Sequence, residues 1–399
     1  MFERAVLHLD LDAFFVSVEC LKNNAFLGKP LLIGGTGSRG VVASCSYEAR
    51  KFGVHSAMPM KMARRLCPQA IVIRGDMDSY SYHSREVTEI IADTAPLFEK
   101  ASIDEFYLDL TGMDRYFGCW QWSNELRQKI ITESGLPISF GLSVNKLVSK
   151  VGTGEAKPNG TKQIPRGAEK QFLAPLSTSK IPGVGKALYK KLSFMGVRTV
   201  KILSEIPIKL LEREFGITGR QLWEKANAID HTPVVPYNEK KSISKERTLG
   251  EDTIDIRFIK SLIMRMVSQL AFELRQSHKL TSCVTVKIRY ADFNTYTKQQ
   301  QMPYTANDNS LLRTAFNLFD KLYERRQLIR LLGIKYSGLV NGHYQIDLFD
   351  DAIEEIQLLQ QMDHIRKRFG LDAICRAGEM VAKDVRLKEA MPNYWQAKN

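Results

Sequence analysis

The sequence predicts an α+β protein of several domains. Three observations carry this. Residues 5–143 alternate strand-like and helix-like stretches in a βαββαβ order, the split ferredoxin-like arrangement. A mainly helical stretch follows, between the break at Pro165 and Gly167 and a helix end near Asp230. A second βαββαβ-like order then occupies residues 242–338. At 399 residues the chain is long enough for two to four domains.

Residues 5–12 alternate strictly. Ala5, Leu7, Leu9 and Leu11 share one face, and Val6, His8, Asp10 and Asp12 share the other, the period of a strand. Phe14 to Leu21 reads as a short helix. Pro30 to Gly34 and Val41 to Ser44 read as strands, and the glycine cluster between them fits no phosphate-loop pattern, so it is a hairpin turn. If Tyr47 to Phe52 is helical, Tyr47, Arg50 and Lys51 fall on one face, with Gly53 just past the helix end. Short and long helices follow at 56–67 and 78–95, each stopped by a proline. Strands 97–102 and 105–110, a helix over 117–133, a strand over 137–143 and a helix from Asn145 to Glu155 complete the first module. Residues 13–76 form an insertion after its first strand.

Ile181-Pro-Gly-Val-Gly-Lys186 opens a helix-hairpin-helix pattern. Gly183 and Gly185 expose backbone N–H groups where a DNA phosphate fits, and Lys186 adds a cation; a tight turn between helices is the plainer reading. Residues 232–241 read as a linker. Strand-like stretches then begin at 242, 282, 295 and 331, with helices over 256–277 and 308–326. Residues 352–380 read as helical, and a polar tail follows.

Composition excludes some classes. Hydrophobic content of 44% with 25% charged residues is ordinary for a globular protein. No apolar run reaches bilayer length, and the acids inside the N-terminal apolar stretch make it a poor signal peptide. Six cysteines form no CxxC pair, so reduced thiols in the cytoplasm are expected. The net charge of +13 lies in the middle of the chain. Residues 1–165 carry 19 basic and 18 acidic side chains, 166–232 carry 12 and 6, and 233–347 carry 18 and 11. A polyanion would therefore be gripped away from the N-terminal acids.

Those acids carry the chemistry. In Ala101 to Thr111, Asp104 and Glu105 stand at the start of a strand-like run. They are either solvated acids in a hairpin turn or ligands of a hard divalent cation. Neighbouring strand residues point to opposite faces, so both can serve one centre only if the chain bends there. Asp10, at the end of the first strand, would meet them if the two strands are neighbours, and three carboxylates from two strands suit a two-metal phosphoryl-transfer site. Tyr47, Arg50 and Lys51 together offer a hydroxyl, a guanidinium and an ammonium, good equipment for a triphosphate.

DLDAFFVSVE (Asp10 to Glu19), SYEARKFGV (Ser46 to Val54), SIDE (Ser102 to Glu105) and KPNG (Lys157 to Gly160) occur in that order. With them the chain resembles the Y-family translesion DNA polymerases of the bacterial DNA polymerase IV type, over about residues 1–350. The resemblance implies a ferredoxin-like palm at 1–12 and 77–165 with inserted fingers at 13–76. It implies a helical thumb at 166–232, a linker at 233–242, an α/β little finger at 243–347 and a tail at 348–399. The implied reaction is low-fidelity, template-directed transfer of dNTPs to a primer 3′ end without proofreading. Asp10, Asp104, Glu105 and the Leu11 carbonyl would hold two Mg2+ ions. Phe14, Phe15, Tyr47, Arg50 and Lys157 would bind the dNTP, with Phe15 as the gate against ribose and Asp12 in a structural role.

Lys240, Lys241, Lys245, Arg247, Lys287, Arg289, Lys298 and Lys335 would meet DNA phosphates, alongside Gly183, Gly185 and Lys186. Gln345-Ile-Asp-Leu-Phe349 resembles the peptide that docks on the bacterial sliding clamp, with Leu348 and Phe349 as apolar anchors and Gln345 fixing register; an edge strand is the plainer reading. The expected partners are primer–template DNA, dNTP and the clamp, bound by a monomer. Two other readings stay open: a catalytically silent DNA-binding relative, and a metal-dependent nuclease.

Overall fold

The computed structural model describes residues 4–37, 39–115, 118–236, 239–324, 326–342 and 352–380. The candidate clamp peptide at 345–349 lies outside them. The chain divides into two compact units, 1–238 and 239–399.

The first unit is built on a five-stranded sheet in the order β5-β6-β1-β7-β8. Its strands are β1 (Val6–Leu11), β5 (Phe98–Lys100), β6 (Glu105–Asp109), β7 (Ile138–Ser143) and β8 (Thr161–Gln163). β1, β5, β6 and β7 give the ferredoxin-like order read from the sequence, all antiparallel. β8, which the sequence reading missed, adds a parallel edge to β7. Leu7, Leu9, Leu11, Phe106, Leu108 and Phe140 pack against α4 (Met77–Thr94) and α5 (Cys119–Ser134) through Val87, Ile91, Leu126 and Ile130. Val6, His8, Asp10, Glu105 and Tyr107 occupy the other face, by strand alternation.

Helix α6 (Lys146–Ala156) lies on that second face. The contact is close because β7 carries Gly141 there: a Cβ would meet the Ser149 carbonyl at 2.3 Å and the Thr153 nitrogen at 2.6 Å. Asn145 caps α6 by accepting from the Val148 N–H at 2.9 Å.

The insertion holds α1 (Phe14–Lys22) and a three-stranded sheet, β3-β2-β4, of β2 (Leu31–Gly34), β3 (Val42–Cys45) and β4 (Ile71–Ile73). It also carries the short helices α2 (Tyr47–Arg50) and α3 (Met60–Leu66). β4, parallel to β2, was not expected. Helices α7 (Glu169–Leu173), α8 (Lys186–Phe194), α9 (Val200–Glu205), α10 (Ile208–Phe215) and α11 (Ile217–Ala226) share a separate core around Leu192, Leu203, Leu211 and Leu222.

The boundary between the two units falls within the expected linker. The first part of the supposed linker is pinned to the five-stranded sheet. Val234 is 5% exposed and packs with Val6 and Tyr107. The Val235 N–H donates to Glu99 at 2.8 Å, and Glu99 is ion-paired with Lys146 at 2.8 Å. Composition marked the segment as loop, and one buried valine, Val234, and one carboxylate acceptor fasten its first part.

The second unit is a four-stranded antiparallel sheet in the order β11-β10-β12-β9. Its strands are β9 (Ser242–Thr253), β10 (Lys279–Tyr290), β11 (Thr295–Thr305) and β12 (Ile329–Asn341). Helices α12 (Ile256–Gln276) and α13 (Asp308–Leu322) cover one face around Leu270, Val286, Phe319 and Tyr336. Helix α14 (Ala352–Phe369) joins them through the buried Arg275. Arg275 reaches both oxygens of Asp363 at 2.6 and 2.8 Å and Asp308 at 2.5 Å. Residues 352–380, read as wholly helical, form α14 and a 3-10 turn at Ala377–Glu379.

Candidate active site

Asp10 and Glu105 are direct partners across β1 and β6, so their carboxylates project from the same face. The bend that the adjacent acids required is present. Ser102 to Asp104 leave the strand, Ala101 N–H donates to the Glu105 carbonyl at 3.0 Å, and Leu11 N–H donates to the Asp104 carbonyl at 3.0 Å. Ser102 Oγ accepts from the Glu105 N–H at 3.0 Å and donates to Asp104 Oδ1 at 2.6 Å.

The acids are held by the protein's own cations. Lys157 pairs with Asp10, and Lys150, on α6, pairs with Glu105 at 2.6 Å. Burial lifts the Asp10 carboxyl to about 7; Lys157 opposes the rise, and Glu105 and Asp104 add to it. Beneath them His8 is buried, its Nδ1 2.8 Å from Thr153 Oγ1 and its ring 4.6 Å from Tyr107. Burial, reinforced by Lys150, Lys157 and Lys146, holds its imidazole well below the ordinary value.

Among the described residues, no three His, Cys, Asp or Glu side chains are arranged as a metal site. The donor chemistry nonetheless fits a hard cation: carboxylate oxygens throughout, with Asp10 largely withdrawn from solvent and paired with Lys157. Each acid is drawn aside by a neighbouring lysine or serine.

Between β1 and α1 the chain turns through Ala13 in the left-handed region (φ 44°, ψ 45°), which sends Phe14 and Phe15 back over the sheet end. Phe14 is 2% exposed and belongs to the core. Phe15 is half-buried and stacks on Tyr80 of α4, ring centroids 4.3 Å apart at 11°. Tyr80 is fully buried, and its hydroxyl donates to Glu19 at 2.7 Å. Ser46 caps α2, accepting from the Ala49 N–H at 3.3 Å. On α2 the Arg50 guanidinium lies 4.5 Å from the Tyr47 ring centroid, and the Tyr47 hydroxyl donates to Asp12 at 3.3 Å.

In the helical region Gly183 has φ +95° and Gly185 precedes α8 without a side-chain cap, so the first N–H groups of α8 have no side-chain acceptor there. Lys186 is exposed beside them. In the second unit the expected DNA contacts divide. Lys287, Arg289 and Lys335 line the sheet face opposite the helices, where Lys287 pairs with Glu246 at 2.5 Å and Arg289 donates to Thr295 at 2.8 Å. Lys245 and Arg247 point the other way. They pair in register with the core residues Ile334 and Leu332, and Lys245 donates to Gln269 of α12 at 3.0 Å. Lys298 is also on the helix side, donating to the Lys321 carbonyl at 3.3 Å.

Comparison with known proteins places these features in one class. Residues 9–154 match the model of the impB/mucB/samB family and residues 240–348 that of its C-terminal domain. Residues 179–230 match the DNA polymerase-iota thumb domain. The chain is 38% identical over 376 residues to a DNA polymerase IV of Dehalococcoides mccartyi strain BAV1, covering 93% of this chain and 96% of that one. It is 37% identical to the DNA polymerase IV of Treponema denticola, covering 96% and 98%. Among solved structures, it resembles a Y-family polymerase chimera of Dbh and Dpo4 at 25% identity and a TM-score of 0.74, covering 84% of this chain and 99% of that one. An insertion ternary complex of Dbh DNA polymerase gives 25% and 0.62, with the same coverage. The fold is that of the Y-family DNA polymerases, with palm and fingers, helical thumb and little finger. Within that class the chain belongs to the DNA polymerase IV family.

Proposed function

We propose that the acids at the β1–β6 end carry nucleotidyl transfer from a dNTP to a primer 3′-hydroxyl. As a DNA polymerase IV homologue the protein is a DNA-directed DNA polymerase of the translesion type, acting on primer–template DNA and dNTP. The observation that carries the residue assignment is the register of Asp10 opposite Glu105, with Asp104 on the adjoining bend. These acids and the Leu11 carbonyl would hold two Mg2+ ions, which when bound lower the pKa of the attacking hydroxyl and neutralise the leaving pyrophosphate. Lys157, Tyr47 and Arg50 orient the triphosphate. The Phe15 ring, fixed on Tyr80, meets the sugar and excludes a 2′-hydroxyl by overlap.

We divide the chain into palm (1–12 and 77–165), fingers (13–76), thumb (166–232) and little finger (243–347). The open sheet face with Lys287, Arg289 and Lys335 meets DNA phosphates, as do Gly183, Gly185 and Lys186. Gln345, Leu348 and Phe349 are assigned to a bacterial sliding clamp on sequence alone. The working form is a cytoplasmic monomer; all six cysteines are free, and no described helix is long and apolar enough to cross a membrane.

The test is primer extension with Mg2+, offering dNTPs and NTPs separately. Short, distributive, dNTP-specific products are expected. DNA binding without extension, or shortening of the primer, would defeat the reading. Clamp-stimulated extension should disappear in Leu348→Ala/Phe349→Ala while basal extension remains.

A further inference from the structure

We infer that Asp12 is the positioning residue of the triphosphate grip, the group that sets Tyr47 and Lys157 relative to each other. This rests on the assignment of those two residues to the nucleotide. Asp12 lies just past the end of β1, two residues after Asp10, and is 2% exposed. Its carboxylate accepts from three donors on three separate segments. Ser139 Oγ on β7 donates to Oδ2 at 2.7 Å, the Asn159 N–H to Oδ2 at 2.7 Å, and the Tyr47 hydroxyl to Oδ1 at 3.3 Å. Lys157 Nζ stands 3.9 Å from Oδ1.

The turn that carries Lys157 is therefore fastened through Asp12. Gly160 N–H donates to the same Ser139 Oγ at 3.2 Å. Arg127 donates to Asn159 Oδ1 at 2.6 Å and to the Ile138 carbonyl at 2.9 Å, so the far side of the turn is fixed as well. Asp12 itself cannot drift, because its N–H donates to the Pro137 carbonyl at 2.9 Å and its carbonyl accepts from Ser17 Oγ at 2.7 Å. Tyr47 and Lys157 lie far apart in sequence, on the fingers and beyond the last palm helix, and this carboxylate is where the two segments meet. A buried carboxylate is tolerated only when its oxygens are satisfied. Here satisfying them fixes the phenol and the lysine turn at once, and ångström-scale misplacement of such groups is costly to catalysis.

The test uses the full chain in single-nucleotide insertion, with dNTP affinity also measured on a dideoxy-terminated primer. Asp12→Ala should raise both KM and Kd for dNTP by about tenfold or more, while the Kd for DNA stays within about twofold. Asp12→Asn keeps an acceptor for Asn159 and Ser139 and should give a smaller rise. In a Lys157→Ala background, Asp12→Asn should add less than about twofold, because coupled residues are not additive. If Asp12→Ala does not fold, Asp12→Asn and Ser139→Ala carry the same test. A lower melting temperature with unchanged dNTP KM, or full additivity with Lys157→Ala, overturns the inference. If the wild-type chain neither extends a primer nor binds dNTP, the nucleotide assignment falls, and this inference with it.

Discussion

Tyr80 offers the sharpest test of how the proposed sugar gate, Phe15, is held. Its ring backs Phe15 in a near-parallel stack, and its hydroxyl satisfies Glu19, which is 7% exposed. The hydroxyl can be removed alone, or together with the ring, and the comparison isolates the stack. Tyr80→Phe keeps the stack and takes the donor from a buried carboxylate; hydrogen bonds to charged groups contribute about 1.5–3 kcal/mol, so stability should fall by about that amount. Tyr80→Leu removes the flat support. Aromatic pairs contribute about 0.5–1.5 kcal/mol beyond burial, which converts to a two- to twelve-fold range, roughly, if all of it holds Phe15 against the sugar. The ratio of kcat/KM for a dNTP over its ribonucleotide should therefore fall by about two- to twelve-fold in Tyr80→Leu and stay unchanged in Tyr80→Phe. Phe15→Ala should lower the ratio much further. Urea unfolding reads the stability and steady-state insertion reads the ratio. Equal loss of selectivity in both Tyr80 variants would refute the argument, because the hydroxyl rather than the ring would then position the gate.

Other outcomes follow from the same geometry. Asp104→Ala should reduce extension by about a thousandfold or more while DNA binding by fluorescence anisotropy survives; retained extension would remove Asp104 from the reaction. Lys287→Ala and Arg289→Ala should each flatten the dependence of log K for DNA on log salt by about one, whereas Lys245→Ala and Arg247→Ala should change it less. Asp363→Ala leaves the Arg275 guanidinium buried with Asp308 and should destabilise the second unit by about 3 kcal/mol, read as a lower urea midpoint; an unchanged midpoint would show that α14 is not fastened there.

Much of the candidate site's arrangement was legible because its residues obey strand periodicity. Asp10 shares a face with His8, and Glu105 with Tyr107 and Asp109. The adjacency of Asp104 and Glu105 required a bend, and residues 102–104 make it. The pairing of Asp10 with Glu105 depended on β1 and β6 being neighbours, which no local pattern announces across so many residues. The strands that were missed, β4 and β8, are three residues long and pair in parallel at sheet edges, too short to show a period. Tyr80 was overlooked because it stands in the polar run SYSYHS, although its burial follows from the helical face it shares with Ser84, Val87 and Ile91. Lys150 lay one helical turn beyond Lys146 with nothing local to tie it to Glu105. The division of the little-finger cations was readable and was not read: in ISKERTL, Lys245 and Arg247 alternate in phase with Ile243 and Leu249, so they belong to the helix-covered side.

In the proposed reaction Lys157 would have a double task, and that has a measurable consequence. Its ammonium is committed to Asp10, whose carboxyl burial has already lifted to about 7. The same ammonium is assigned to the triphosphate. On that assignment it could not serve both anions fully, so its release toward a nucleotide would call for another cation at Asp10. The two side chains are 21% and 14% exposed, well withdrawn from solvent. Lys157→Ala would leave the Asp10 carboxylate without its partner, a loss of about 1–3 kcal/mol in chelating buffer. Adding Mg2+ supplies the missing charge, and a ligand that binds only the folded state raises stability with its concentration. The Lys157→Ala melting temperature should therefore rise more steeply with Mg2+ than that of the wild type, and the gap between them should narrow. A gap that stays constant across the titration would mean that Lys157 and the divalent cation do not compete for Asp10, and the exchange would have to be abandoned.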